Sequence, residues 1–324
     1  MTWRPNFPGG KRFAFTIIDD TDVATVDNVQ PLYDLLHRLG FRTTKTVWPL
    51  RWDEGWSAFA GSETLDDAHY VEFVRTLQAQ GFEIASHGAR MESSNRQQTE
   101  NGLARMQEVL GAVPRVYANH SFNQENVYWG PERVDISLLR ALYRRMMGAR
   151  GRGHFLGGVE GSAYWWGDLC RSHHEYVRNL TYTHVNVLDI NPTMPYRDPR
   201  RPLVNWWFSA VDADNVEVFV ERFNAAAIDK LEQAGGVCIV ATHLGKQFVR
   251  DGVVDPRVQR ILEDIASRDG WLVPVGELLD CLRAQRRGAA EIPPHEWRMM
   301  QWRWAMDFAW ATLRDRFSRR ASPN

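Results

Sequence analysis

Cysteine is scarce in this chain: Cys170, Cys238 and Cys281 are the three present in 324 residues. They are odd in number and far apart. They therefore form neither a disulfide framework nor a zinc knuckle, and they fit a reducing compartment. An excess of one charge is also missing. Thirty-nine basic and 40 acidic side chains leave a net charge of -1, without the basic footprint that nucleic-acid binding needs. No apolar run is long enough to span a bilayer, and the first ten residues are not followed by the apolar core of a signal peptide. These absences lead to the expectation of a soluble, cytoplasmic protein with no nucleic-acid partner. No linker, repeat or low-complexity tract divides the chain. With 44% hydrophobic and 24% charged residues, a large core is expected and disorder is not. One abundance stands against these shortages. Fourteen tryptophans are more than a core requires, so some are expected to line a cleft or an interface.

Short apolar runs alternate with helical patterns. Residues 13–18 read as a buried strand. Residues 27–39 follow as a helix, with Val29, Leu32, Leu35, Leu36 and Leu39 at helical spacing and Gly40 as the stop. The same order of strand, polar loop, helix and glycine recurs: strand 43–48, helix 66–80, strand 82–86, helix 97–110, strand 115–119. The middle reads as helix 131–147, a glycine-rich loop 148–161, and strands 184–190 and 203–208. The end reads as helix 216–233, strand 237–242, helix 256–268 and strand 271–275. Such alternation is the pattern of right-handed βαβ crossovers. Seven or eight units predict a (β/α) barrel over residues 1–290.

Polar residues recur at the C-terminal ends of these strands: Asp19 and Asp20, His87, Asn119 and His120, Asp189 and Asn191, and His243. In a barrel these ends share one face. Two adjacent aspartates can cap a helix, and a single histidine at a strand end can be a hydrogen-bonded structural residue. Their joint occurrence in successive units points to one pocket. A carboxylate with imidazoles suits a divalent ion such as zinc. A second carboxylate and a further imidazole can exchange protons with water and a leaving group.

Three strings resemble the polysaccharide deacetylases, the NodB-homology family: Phe15-Thr-Ile-Ile-Asp-Asp-Thr-Asp22, Gly81-Phe-Glu-Ile-Ala-Ser-His-Gly88 and Gly235-Gly-Val-Cys-Ile-Val-Ala-Thr-His-Leu244. The resemblance implies a deformed (β/α) barrel. It implies Asp19 as catalytic base, Asp20 and His87 as metal ligands and His243 as general acid. The family's second metal-binding histidine corresponds to Met91, a poor ligand for such a cation. His120, Glu92 or Asn119 can replace it, with His120 preferred. The family's third motif is replaced by residues 117–126.

The expected function is metal-dependent removal of an N-acyl (acetyl) group from an amino sugar of an intracellular glycan precursor. The alternatives are an inactive member that binds a saccharide or glycolipid, and a hydrolase of another C–N bond such as a cyclic imide or formamide. Asn119, Trp48, Trp166, Trp207 and Arg197 are the candidate substrate contacts: tryptophans stack on sugars and an arginine holds an anion. Residues 291–324 hold tryptophans and methionines among arginines. This segment is read as an aromatic and basic helix packed on the barrel, with membrane-surface contact as its other use.

Overall fold

The computed structural model describes residues 3–53, 61–120, 122–151, 154–286 and 290–321, and side chains up to Trp310. Seven parallel strands form a closed barrel: β1 (Phe13–Asp19), β2 (Thr44–Val47), β3 (Glu83–Ser86), β4 (Val116–Ala118), β5 (Tyr176–Tyr182), β6 (Trp206–Asp212) and β7 (Val237–Thr242). They follow one another in chain order, and β1 pairs with β7 to close the ring. Their near-continuous burial reflects a sheet covered on both faces. A hairpin of β8 (Val249–Arg250) and β9 (Val253–Val254) lies beyond β7. The short β10 (Gly270–Trp271) pairs with the start of β1, while β2 pairs only with its end. This splayed seam deforms the barrel.

The helices surround the ring: α1 (Val26–Arg38), α2 (Ala68–Ala79), α3 (Arg96–Leu110), α4 (Ser137–Gly151), α5 (Gly167–His173), α6 (Val216–Arg222), α7 (Ala225–Ala234), α8 (Pro256–Ser267) and α9 (Val275–Gln285). Their starts have local chemical causes. Thr25 caps α1 and Asn95 caps α3, each in a reciprocal capping box with the residue three positions on. A single helix over 216–233 is replaced by two, because the Asn224 side chain accepts the Ala227 N–H and starts α7 afresh. The expected strand 184–190 is instead a loop with a 3-10 turn at Val187–Asp189. Asn186 bends it by accepting the N–H groups of Leu188 and Val237. The strand of this unit is β5, just upstream, where Arg178 and Asn179 interrupt the apolar run. The expected strand 271–275 stops at Trp271, since Pro274 caps α9.

The last helix, α10 (Pro294–Ala321), lies across β5 and α4. Trp297, Met300, Gln301 and Trp304 are buried. The Trp297 indole donates to Asp135 at 2.6 Å, and Gln301 accepts the Ile136 N–H at 3.0 Å. Trp304 and Phe308 pack on Tyr143 of α4. Met299, Trp302, Met306 and Trp310 form an exposed stripe on the same helix. The arginine side chains expected to make it basic beyond Trp310 lie outside the described residues.

Deleting residues 294–324 should uncover the aromatic cluster beneath α10. With about 1.5–3 kcal/mol for each large side chain that loses its burial, the loss should exceed about 5 kcal/mol and lower the melting temperature by more than about 10 °C. Calorimetry of the truncated chain checks this; an unchanged melting temperature would show that α10 adds nothing to the barrel.

Candidate functional site

The closed ring brings the strand ends together around a cavity of about 320 Å³. Its lining includes Asp20, Asp22, His87, Asn119, His120, Arg178, Asp212, Asp214 and His243. Asp20, Asp22 and His243 meet because β1 and β7 run in register. Asp19 stands opposite Thr242, and the Asp20 N–H donates to the Thr242 carbonyl at 2.8 Å.

Asp22, His87 and His120 present ligand atoms that all lie within 4.8 Å of one another. Oδ1 of Asp22 is 3.4 Å from Nε2 of His87 and 3.5 Å from Nε2 of His120. A tetrahedral ion held at about 2.1 Å spaces its donors about 3.4 Å apart, so the set fits a divalent metal. The tautomer of His87 fits as well. Its Nδ1–H donates to the Ala118 carbonyl at 2.9 Å, which leaves the Nε2 lone pair facing Asp22. Burial lowers the His87 pKa and favours the neutral ring that a metal requires. Burial opposes the charge on Asp22, but the three surrounding imidazoles outweigh it and hold the carboxyl well below its ordinary range. Met91 is buried, and His120, at the end of β4, supplies the third ligand atom of the cluster.

Two further groups flank this cluster. Arg178 of β5 holds Asp20 by two hydrogen bonds, of 2.8 and 2.6 Å. Burial alone would raise the Asp20 pKa; the guanidinium overrides it and lowers the pKa. On the other side, His243 donates Nδ1–H to the Asp214 carbonyl at 2.9 Å, and its Nε2 lies 3.4 Å from Asp22 and 3.9 Å from Asp20. Burial would lower its pKa, but Asp214, Asp22 and Asp20 push it up to about 10. Lys246 supports Asp214 at 3.0 Å.

Arg178 and Thr181 both line the cavity although three positions separate them. Strand alternation would put them on opposite faces. The register between β5 and β6 shifts between these two residues, and this bulge turns Thr181 back inward.

Asp19 takes a different place from the one expected of it. It is fully buried on the side of β1 that faces the helices. One carboxylate oxygen receives Tyr33 of α1 and Lys45 of β2, each at 3.0 Å; the other receives the Leu244 N–H at 2.8 Å. Burial would lower the Lys45 pKa, yet Asp19 beside it raises it. Alternation explains the placement: Asp20 and Asp22 share one side of the chain, Asp19 the other.

The remaining candidates divide similarly. Asn119 lines the cavity and its side chain accepts the Val127 N–H at 3.3 Å. Trp48 is buried beside the Asp22–His87–His120 cluster, its ring 5.0 Å from that of His120. Trp166 and Trp207 are buried outside the cavity lining, Trp166 donating to the Glu125 carbonyl at 2.6 Å. Arg197 is exposed, over Trp206 at 4.5 Å. Asp189 pairs with His184, also apart from the cavity. The cavity lining also includes Trp129 and Arg133; sequence reasoning singled out neither these nor Asp22, Arg178 and Asp214. Of these only Asp22 carried a usable signal, its two-residue spacing from Asp20.

No family model matches the sequence, and no curated protein matches it. Solved structures do match the fold. One is a probable polysaccharide deacetylase from Pseudomonas aeruginosa PAO1, with TM-score 0.51 and 13% identity over 88% of this chain and 95% of that one. Another is PuuE allantoinase, with TM-score 0.51 and 13% identity over 88% and 94% of the two chains. The chain therefore has the polysaccharide-deacetylase fold.

Asp19→Asn should leave the Lys45 charge buried without a counter-charge, at a cost of about 3–5 kcal/mol. Adding Lys45→Met should recover much of the loss. Urea unfolding of both variants decides; equal stabilities of Asp19→Asn and the native chain would remove Asp19 from this structural role.

Proposed function

We propose that this chain is a divalent-metal-dependent hydrolase that removes an N-acyl group from an amino sugar. The observation that carries the reading is the order of groups in the cavity: three candidate ligand atoms within 4.8 Å of one another, an arginine-held carboxylate on one flank and a carboxylate-held imidazole on the other. Asp22, His87 and His120 would hold the ion, with zinc favoured by the one-carboxylate, two-imidazole donor set. Bound there, such an ion polarises the acyl oxygen and acidifies water.

The protein's own groups do the rest. Asp20, kept ionised by Arg178, accepts the proton of the attacking water. His243, whose Nδ1–H is held by Asp214, keeps Nε2 aimed into the cavity and gives its proton to the departing amine. Both residues are oriented before substrate arrives, so little reorganisation opposes the reaction. This reading moves the base from Asp19 to Asp20 and the aspartate ligand from Asp20 to Asp22. A cavity of about 320 Å³ suits a group about the size of one sugar residue.

The likeness to an allantoinase supports a second reading, opening of a cyclic amide by the same groups. An intracellular glycan precursor remains the favoured source of substrate, and the free thiols support a cytoplasmic setting. The exposed stripe on α10 supports contact with a membrane surface or with a glycolipid substrate held there.

Metal analysis separates the roles. Asp22→Ala and His120→Ala should lose stoichiometric metal. Asp20→Asn should retain it while kcat falls by about two to four orders of magnitude on an N-acetylated glycan. Full metal content in Asp22→Ala, or full activity in Asp20→Asn, would overturn this assignment. Turnover of allantoin without turnover of any N-acetylated glycan would favour the second reading.

A further inference from the structure

The wall of the same cavity holds a cation that the chemistry above does not use. Three basic side chains line it: Arg178, Lys246 and Arg133. Arg178 is matched by Asp20 and Lys246 by Asp214. Arg133, which precedes α4, has no carboxylate within ion-pair distance among the described residues. Its one hydrogen bond to a described residue runs from Nη2 to the Asn179 carbonyl at 2.8 Å. Its guanidinium lies on the Trp129 ring, 3.3 Å from the centroid, and Trp129 lines the cavity beside it. The side chain is 9% exposed, and its Nε is buried without a partner.

A buried guanidinium without a counter-charge is costly to the fold. Burial depresses its pKa to about 9, and the neighbouring Arg178 adds to the strain. The other groups that act on its charge are the phenols of Tyr143, Tyr182 and Tyr196. A purely structural position would be filled more stably by a neutral side chain. An incoming oxyanion would remove the penalty and gain a charge-assisted hydrogen bond.

We infer that Arg133, backed by Trp129, is a subsite for an oxyanion, a carboxylate or phosphate ester, carried by the substrate. The inference rests on the hydrolase reading for what is cleaved, but not for whether the anion binds. The cavity is small, so the anion and the scissile amide belong to the same sugar residue or to adjacent ones. The substrate class is thus an acidic N-acylated amino sugar and not a neutral polymer of the chitin kind.

Two measurements test it. In the first, inorganic phosphate is titrated into the chelator-treated full chain while tryptophan emission is followed, Trp129 being the reporter beneath the guanidinium. A saturable response is expected, weakened about ten- to hundredfold in Arg133→Gln and less so in Arg133→Lys, which keeps the charge without the fork. It should persist in His87→Ala, which damages the metal cluster. No saturable response in the native chain, or an equal response in both folded Arg133 variants, would overturn the subsite. In the second, kcat/KM is compared for N-acetylglucosamine 6-phosphate and N-acetylglucosamine. The native preference for the phosphorylated sugar should fall at least about tenfold in Arg133→Lys or Arg133→Gln, whichever circular dichroism shows to be folded. An unchanged preference overturns the inference. Phosphate binding that depends on Arg133, without turnover of either sugar, supports the subsite and counts against the hydrolase reading alone.

Discussion

The pairing of the first strand with the seventh is the constraint on which the site depends. Six consecutive residue pairs, from Ala14 against Val237 to Asp19 against Thr242, close a ring whose strands all point the same way. Closure puts the loop that follows Asp19 next to the loop that follows Thr242. Two backbone N–H groups then secure it, Asp20 to the Thr242 carbonyl and Leu244 to the Asp19 carboxylate. Base and acid of the proposed reaction are thus held by the same hydrogen bonds that complete the sheet. The buried Asp19–Lys45 pair, with Tyr33, adds a second anchor between the ring and the helices outside it.

Within the cavity, three carboxylates are matched by positive or imidazole neighbours. Asp20 faces Arg178, Asp22 faces three imidazoles, and Asp214 faces His243 and Lys246. Each carboxylate is held ionised against the pull of burial by a neighbour of opposite charge. Asp212, on the same wall, is pushed up instead, because burial outweighs the pull of Arg222, His243 and Arg178. Preorganisation of this kind is what the proposed attack on a neutral amide would draw on. It also sets Arg133 apart, as a cation in the wall with no carboxylate at ion-pair distance among the described residues.

Much of the barrel was legible because its elements are strongly patterned. The apolar runs of β1, β3 and β7 and the glycine stops after α1, α2 and α3 need no tertiary context to be recognised. The errors arose at single polar or capping residues, one of them serving the site. The run Tyr-Val-Arg-Asn-Leu-Thr-Tyr of β5 carries Arg178 and Asn179 into the interior, so its hydrophobicity is broken and the neighbouring His184–Ile190 looked the better strand. The split of α6 from α7 rests on a single capping asparagine within an otherwise helical stretch.

The residues of the site show the same division. Composition and spacing determined that aspartates and histidines gather at the ends of parallel strands, and that His87, His120 and His243 are among them. They could not determine which of Asp19, Asp20 and Asp22 faces the cavity, because adjacent residues on an extended chain point to opposite sides and a shift of one position exchanges the two sets. Only the folded chain decided this, by burying Asp19 with Lys45 and leaving Asp20 and Asp22 on the inner side. It alone brought Arg178 to Asp20, through a strand pairing and a bulge set by residues far away in the sequence. Charge partners across a barrel are chosen by register, and register is a property of the closed sheet rather than of any one strand.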